Sequence, residues 1–185
     1  MTTSLRWTIS DIDALPENGN RYEIIDGELY VSKQPHWHHQ ATCDNIIIEL
    51  GTWSRDSGLG RTIQAPGVIY SEDEAVVPDI VWVSKERLAS VLAPDGKLYM
   101  SPDLVIEVLS SGTANEQRDR EAKRRLYSRR GVQEYWIADW RNTTVEVYRR
   151  QQAELRLVQT LLPGEELMSP LLPGFACVID RFFEI

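Results

Sequence analysis

The chain has 185 residues, 42% of them hydrophobic, which is enough to bury one sizeable core and fits a single domain spanning residues 1–185. Its 20 basic and 28 acidic residues leave a formal charge of -8, which excludes a whole-surface attraction to nucleic acid and confines any DNA contact to a local patch. Two cysteines, Cys43 and Cys177, exclude a disulfide framework, and neither a membrane-length apolar run nor a secretory start is legible in Met-Thr-Thr-Ser-Leu-Arg-Trp, so a cytoplasmic protein is expected.

A short capped segment starts at Ser10. Tyr22 to Ile25 and Glu28 to Val31 then read as strands joined by Asp26-Gly27, the dipeptide favoured in a two-residue hairpin turn. From about His39 to Trp53, Ala41, Ile46, Ile47, Leu50 and Trp53 recur at helical spacing, and Gly51 and Gly58 suggest an end nearby. Three runs follow that look like strands: Gly67 to Tyr70, Asp79 to Val83, and Leu104 to Leu109. The last is apolar on both faces except at Glu107, as a doubly covered central strand reads. A second helix is expected from Asn115 to Arg130, stopped by Gly131. Glu134 to Ala138, Thr144 to Tyr148 and Leu155 to Leu161 alternate as strands, and Pro163-Gly164 and Pro173-Gly174 break the tail. This order predicts an α/β mixed sheet with a helix on either side.

Glu107 carries the strongest chemical signal. An ionised carboxylate amid Leu104, Val105, Ile106, Val108 and Leu109 costs several kcal/mol unless a cation or strong donors meet it. On the second helix, Asp119, Ala122, Lys123, Leu126 and Tyr127 share one face, so Lys123 turns inward with its apolar neighbours. A hard divalent cation needs a second carboxylate, and two Pro-Asp pairs compete for the role. Asp103 lies about 13 Å from Glu107 along the same strand, at roughly 3.3 Å per residue, too far for one shared ion. Asp79 begins the preceding strand and can approach across one interstrand spacing, so the expected set is Asp79, Glu107 and Lys123.

These motifs resemble those of the Uma-type restriction endonucleases, within the PD-(D/E)XK nuclease superfamily. The resemblance rests on Pro78-Asp79-Ile80-Val81-Trp82-Val83, then Pro102-Asp103-Leu104-Val105-Ile106-Glu107-Val108-Leu109-Ser110, then Asp119, Lys123 and Tyr127, then Gly131-Val132-Gln133-Glu134-Tyr135-Trp136-Ile137. It extends to Tyr22-Glu23-Ile24-Ile25-Asp26-Gly27-Glu28-Leu29 and His39-Gln40, and so covers nearly the whole chain. It implies a restriction-endonuclease-like core and a DNA endonuclease that uses Mg2+ or Mn2+. The ion would be held by Asp79, Glu107 and the backbone carbonyl of Val108. The superfamily's lysine normally follows the glutamate by two residues, where this chain has Leu109; the Uma-type pattern moves it to the next helix, where Lys123 stands.

Around this set, Glu23, Glu28, His39, Glu49, Asp119 and Tyr127 are candidate auxiliaries, although single glutamates are more often surface charges. Arg118, Arg125 and Arg129 are expected to face outward as a phosphate-contacting strip, and a homodimer would bring two sites together for two strands. Three other readings compete. Glu107 and Lys123 could form a metal-free buried ion pair. His36, His38, His39 and Cys43 are zinc-ligand types in a short span, but their spacing is irregular and no second cluster closes a site. The whole chain could instead be a non-catalytic nuclease-fold module that binds nucleic acid or protein, a reading the acidic charge favours. Trp37, Trp53, Trp82, Trp136 and Trp140 are expected to pack in the core or an interface.

Overall fold

The computed structural model describes residues 5–185; residues 1–4, which begin the expected domain and the start read for a leader, lie outside the described residues. Helix α1 (Ile9–Asp13) is followed by β1 (Arg21–Ile25) and β2 (Glu28–Ser32). Both turn residues take positive φ, 55° at Asp26 and 75° at Gly27, as a tight primed turn requires, and Ile25 pairs with Glu28. Helix α2 (Trp37–Ser57) outruns the expected span at both ends, passing through Gly51 and stopping at Gly58, which adopts the left-handed conformation at φ 66°.

Next come β3 (Gly60–Gln64), β4 (Val68–Ser71), β5 (Glu74–Val76), β6 (Ile80–Ser84), α3 (Lys85–Val91) and β7 (Leu104–Val108). The third predicted run ends one residue early, because Leu109 leaves the ladder although its amide still donates to the Ala138 carbonyl. The second long helix is not uniform. It consists of α4 (Thr113–Gln117), a π-helical stretch over Arg118–Lys123, and α5 (Arg124–Arg130), ending at a left-handed Gly131. Strands β8 (Glu134–Asp139), β9 (Thr144–Gln151), β10 (Glu154–Leu161), β11 (Glu166–Met168) and β12 (Ala176–Val178) lead to a closing 3-10 turn, Ile179–Phe182.

The expected mixed sheet has six strands in the order β10-β9-β8-β7-β6-β3, and β7 and β8 are its parallel pair. Parallel neighbours need a crossover, and the α4–α5 segment supplies it. A second sheet, β2-β1-β5-β4, takes in the hairpin. Strands β3 and β5 escape the pattern reading, β5 because it has three residues and β3 because its side chains are mostly polar and exposed. Strand β3 nevertheless depends on Gly60, where an added Cβ would sit 2.4 Å from the Val83 carbonyl oxygen.

The large sheet separates two cores. One face packs Ile80, Trp82, Leu104, Ile106 and Trp136 against Cys43, Ile46 and Leu50 of α2 and the tail residues Phe175 and Phe182. The other packs Val81, Val83, Val105, Leu109 and Tyr135 against Leu126 and Tyr127 of α5 and Val76 of the small sheet. By strand alternation Glu107 belongs to this second face, between Val105 and Leu109. Trp82 and Trp136 are core residues and Trp53 and Trp140 pack on the core, but Trp37 is 73% exposed at the start of α2. Among the described residues, no helix is long and apolar enough to cross a membrane.

Candidate active site

Glu107 and Lys123 meet as the inward helix face implies. Lys123 Nζ lies 2.9 Å from Glu107 Oε1 and 2.9 Å from Glu23 Oε1, and all three side chains are essentially inaccessible to solvent. Tyr127 donates its hydroxyl to the same Glu107 oxygen at 2.9 Å. Asp119 lies 3.9 Å from Lys123 and is held by Arg118 Nε at 2.9 Å.

Asp79 stands immediately before β6. The β6–β7 register pairs Ile80 with Ile106, so one step further along Asp79 comes opposite Glu107. The strand ladder stops there, and Asp79 Oδ2 instead accepts the Val108 amide at 2.9 Å, while Oδ1 accepts from Arg21 at 2.9 Å. His39, in the first turn of α2, turns its Nε2 toward Asp79 Oδ2 at 3.3 Å. Among the described residues Nε2 has no aligned hydrogen-bond partner, and a protonated ring meets Asp79 as a charge contact. Asp103, at the opposite end of β7, accepts from the Ser84 amide at 2.8 Å and from Arg87 at 2.6 Å, a structural role consistent with its separation from Glu107.

The electrostatics follow from burial and these partners. Burial pushes Glu107 up to about 8; Lys123 opposes the shift, and the negative charges of Asp79, Asp119 and Glu23 add to it. Burial likewise disfavours the Glu23 carboxylate, yet Lys123, Arg21 and Arg118 outweigh it and hold its pKa below the ordinary value. Asp79 is also held down against burial, by His39, Arg21 and Lys123. For Lys123 burial works against the ammonium, but Glu107 and Glu23 prevail and raise it. The imidazolium of His39 is favoured over its burial cost by Asp79.

Other candidates fall elsewhere. Glu28 is exposed and accepts from Tyr30 at 2.9 Å, and Glu49 on α2 pairs with Arg181 at 2.9 Å, far from the Asp79 cluster in its contacts. Arg118 corrects the outward-strip expectation: it is 5% exposed and bonds Asp119 and Ser32. The π-helical stretch widens the turn, so that Arg118 joins Asp119 and Lys123 on the inner face, a rotation that an ideal 3.6-residue period does not contain. Arg129 reaches outward but pairs with Asp26 at 2.7 Å and Glu74 at 2.8 Å; Arg125 remains 71% exposed. Arg21 escaped the sequence reading, although its place two residues before Glu23 on one strand puts both on one face. Of the histidine run, His36 and His38 stack against Trp140 with centroids 4.9 and 5.2 Å away, leaving His39 alone to turn inward.

The donor set also fits a divalent ion. Four buried carboxylates, Glu23, Asp79, Glu107 and Asp119, gather with Arg21, Arg118, Lys123 and His39, and among the described residues Glu23 Oε2 is buried with no hydrogen-bond partner. An orphaned carboxylate oxygen beside three further carboxylates suits a hard cation.

Comparison with known proteins places this geometry in context. No curated protein matches the chain. A putative nuclease belonging to DUF820, from Anabaena variabilis ATCC 29413, superposes with a TM-score of 0.75 at 22% identity, covering 95% of this chain and 97% of that one, which establishes a shared fold. The type IIG restriction endonuclease BpuSI aligns with a TM-score of 0.37 at 11% identity over 79% of this chain and 14% of its own, too weak to carry an argument. The family model Uma2, putative restriction endonuclease, matches residues 9–180, so the chain belongs to that family and has a restriction-endonuclease-like α/β fold.

Proposed function

We propose that this protein is a divalent-metal-dependent endonuclease that hydrolyses phosphodiester bonds in DNA, with Asp79, Glu107 and Lys123 at its centre. The observation that carries the reading is the convergence of buried Glu23, Glu107 and Asp119 on Lys123, with Asp79 in register opposite Glu107 and one Glu23 oxygen left without a hydrogen-bond partner among the described residues. A site built only for stability has no reason to gather so many buried charges, because each is costly to take out of water even when paired.

Asp79, Glu107 and the Val108 carbonyl would hold Mg2+ or Mn2+, with Glu23 as a further oxygen donor. Such an ion would polarise a phosphoryl oxygen and lower the pKa of nearby water. Lys123 supplies a fixed positive charge for the negative charge that develops as the phosphodiester is attacked. Tyr127 orients Glu107 through its hydroxyl, and Arg118 holds Asp119 at 3.9 Å from the lysine. Arg125, with Arg129 beside it, would contact the DNA backbone outside the site. The proposal includes one domain, a cytoplasmic location and a homodimer that cuts both strands.

The net charge of -8 favours the second reading, a nuclease-fold module that binds without cutting. Cleavage of plasmid and linear DNA across a Mg2+ and Mn2+ titration, beside calorimetry of ion binding, decides between them. Metal-dependent cutting that is lost in Glu107→Gln is expected. An ion-binding failure together with no cutting by the parent chain would refute the enzyme.

A further inference from the structure

A second set of donors adjoins Asp79 on the side away from Lys123. One ring nitrogen of His39, Cys43 Sγ and an Asp79 oxygen all lie within 4.8 Å of one another, and all three residues are buried. We propose that His39, Cys43 and Asp79 form a binding site for a borderline-soft divalent transition ion of the zinc class, distinct in donor chemistry from the hard-cation site.

The first argument is geometric. Tetrahedral zinc, with bonds of about 2.0–2.3 Å, needs its donors roughly 3.3–3.6 Å apart. His39 Nε2 and Asp79 Oδ2 already stand at 3.3 Å, so the 4.8 Å limit leaves about an ångström of side-chain adjustment to close the set. His39 and Cys43 are four residues apart on α2 and therefore project from one face of it.

The second argument is hydrogen bonding. His39 Nδ1 is 3.0 Å from Gln40 Oε1 and 3.7 Å from Cys43 Sγ; the neutral tautomer that carries its proton on Nδ1 donates to Gln40 and turns the Nε2 lone pair toward Asp79. Nε2 is buried with no aligned partner, and the other Asp79 oxygen is held by Arg21. A histidine whose second nitrogen is held by a neighbouring amide oxygen and a carboxylate braced on its far oxygen are the outer supports that metal ligands ordinarily have.

Charge selects the ion. A divalent cation bound by a thiolate, a carboxylate and a neutral imidazole makes a neutral buried unit, and on binding the Cys43 thiol proton, together with the extra proton of any His39 imidazolium, leaves to solvent. Thiolate and imidazole donors favour zinc-class ions over magnesium. A cavity of about 170 Å³ lined by Arg21, His39, Cys43, Gln64, Ala65 and Asp79 opens onto the donors and leaves room for water in a fourth position.

Asp79 is common to both donor sets, so a zinc-class ion here would withdraw it from the hard-cation site and inhibit cutting. That consequence rests on the nuclease reading; the site itself does not.

The test uses the full chain, stripped of metal and titrated with Co2+ and Zn2+. Cobalt bound to thiolate gives a near-ultraviolet charge-transfer absorption, and zinc affinity is read by competition with a chromophoric chelator. One equivalent is expected in the parent, with the charge-transfer band. Because the chain has two cysteines, Cys177→Ser alone decides which thiol binds: the band persists if Cys43 is the ligand. Cys43→Ser and His39→Gln, checked for folding by thermal melting, should weaken zinc binding by at least about tenfold. His36→Ala/His38→Ala should leave it unchanged. No band in the parent, a band lost in Cys177→Ser, or zinc affinity unchanged in folded Cys43→Ser would overturn the proposal. If the protein cut no DNA at all, these binding measurements would still decide whether the zinc-class site exists.

Discussion

Replacing Lys123 with methionine keeps most of the side chain's volume and deletes its charge. Glu107 and Glu23 would then face each other's surroundings without the ammonium that now lies 2.9 Å from each. Removing one partner of a buried ion pair costs about 3–5 kcal/mol, so the loss should be large against a typical total stability but should not unfold every molecule. The deficit should also depend on pH. In the metal-free parent the Glu107 contribution is fully present below its ordinary 4.5 and is lost as pH rises through about 8. The Glu23 contribution has the opposite sign, present above 4.5 and lost as pH falls through its lowered value. Without Lys123 both carboxyls move up, so Lys123→Met should lie closest to the parent near about pH 5 and furthest below it near about pH 8. A divalent cation in about hundredfold excess over its dissociation constant should return about 2.7 kcal/mol. Urea unfolding at both pH values, with and without Mg2+, measures each quantity. A deficit that is equal at the two pH values and indifferent to Mg2+ would show that Lys123 does not neutralise this carboxylate cluster.

Glu107→Gln should raise the stability of the metal-free protein near about pH 8, because the amide stays neutral where burial disfavours the carboxylate; a loss in urea unfolding there would show that the pairing with Lys123 outweighs that burial cost. The same variant should lose cutting but recover part of it in excess Mn2+, whereas Lys123→Ala should not recover, a contrast that a cleavage assay over a metal titration reads directly. Tyr127→Phe deletes one hydrogen bond to a carboxylate and should cost roughly 1.5–3 kcal/mol in urea unfolding, and a change near zero would mean the hydroxyl does not support Glu107. Arg125→Gln should change stability by less than about 0.5 kcal/mol and reduce the salt slope of DNA binding by about 0.9. Arg129→Gln should instead destabilise the fold through Asp26 and Glu74, and equal effects of the two on DNA binding would argue against Arg125 as the main phosphate contact.

The long-range pattern of the chain is legible where side chains alternate or recur over enough residues. The Asp26-Gly27 turn, the body of α2, the apolar strand around Glu107 and the stop at Gly131 follow from local stereochemistry and hydrophobic period. Lys123 can be placed inward because Ala122, Leu126 and Tyr127 share its face. Three-residue β5 carries too few positions for a period to emerge, and β3, Gly-Arg-Thr-Ile-Gln, has a single large apolar side chain to mark a buried face.

What the sequence by itself determined was the type of chemistry: a carboxylate in an apolar strand, a lysine on the helix that follows, and a second aspartate entering the neighbouring strand. What only the tertiary structure decided was which charges converge on them. Glu23 and Arg21 come from a separate sheet, His39 and Cys43 from the start of α2, and Arg118 from a π-helical stretch that rotates it inward. Those contacts join residues up to about a hundred positions apart, such as Glu23 and Lys123. No local propensity encodes them, because the free energy that holds each charge in place comes from partners the chain supplies only once it is folded.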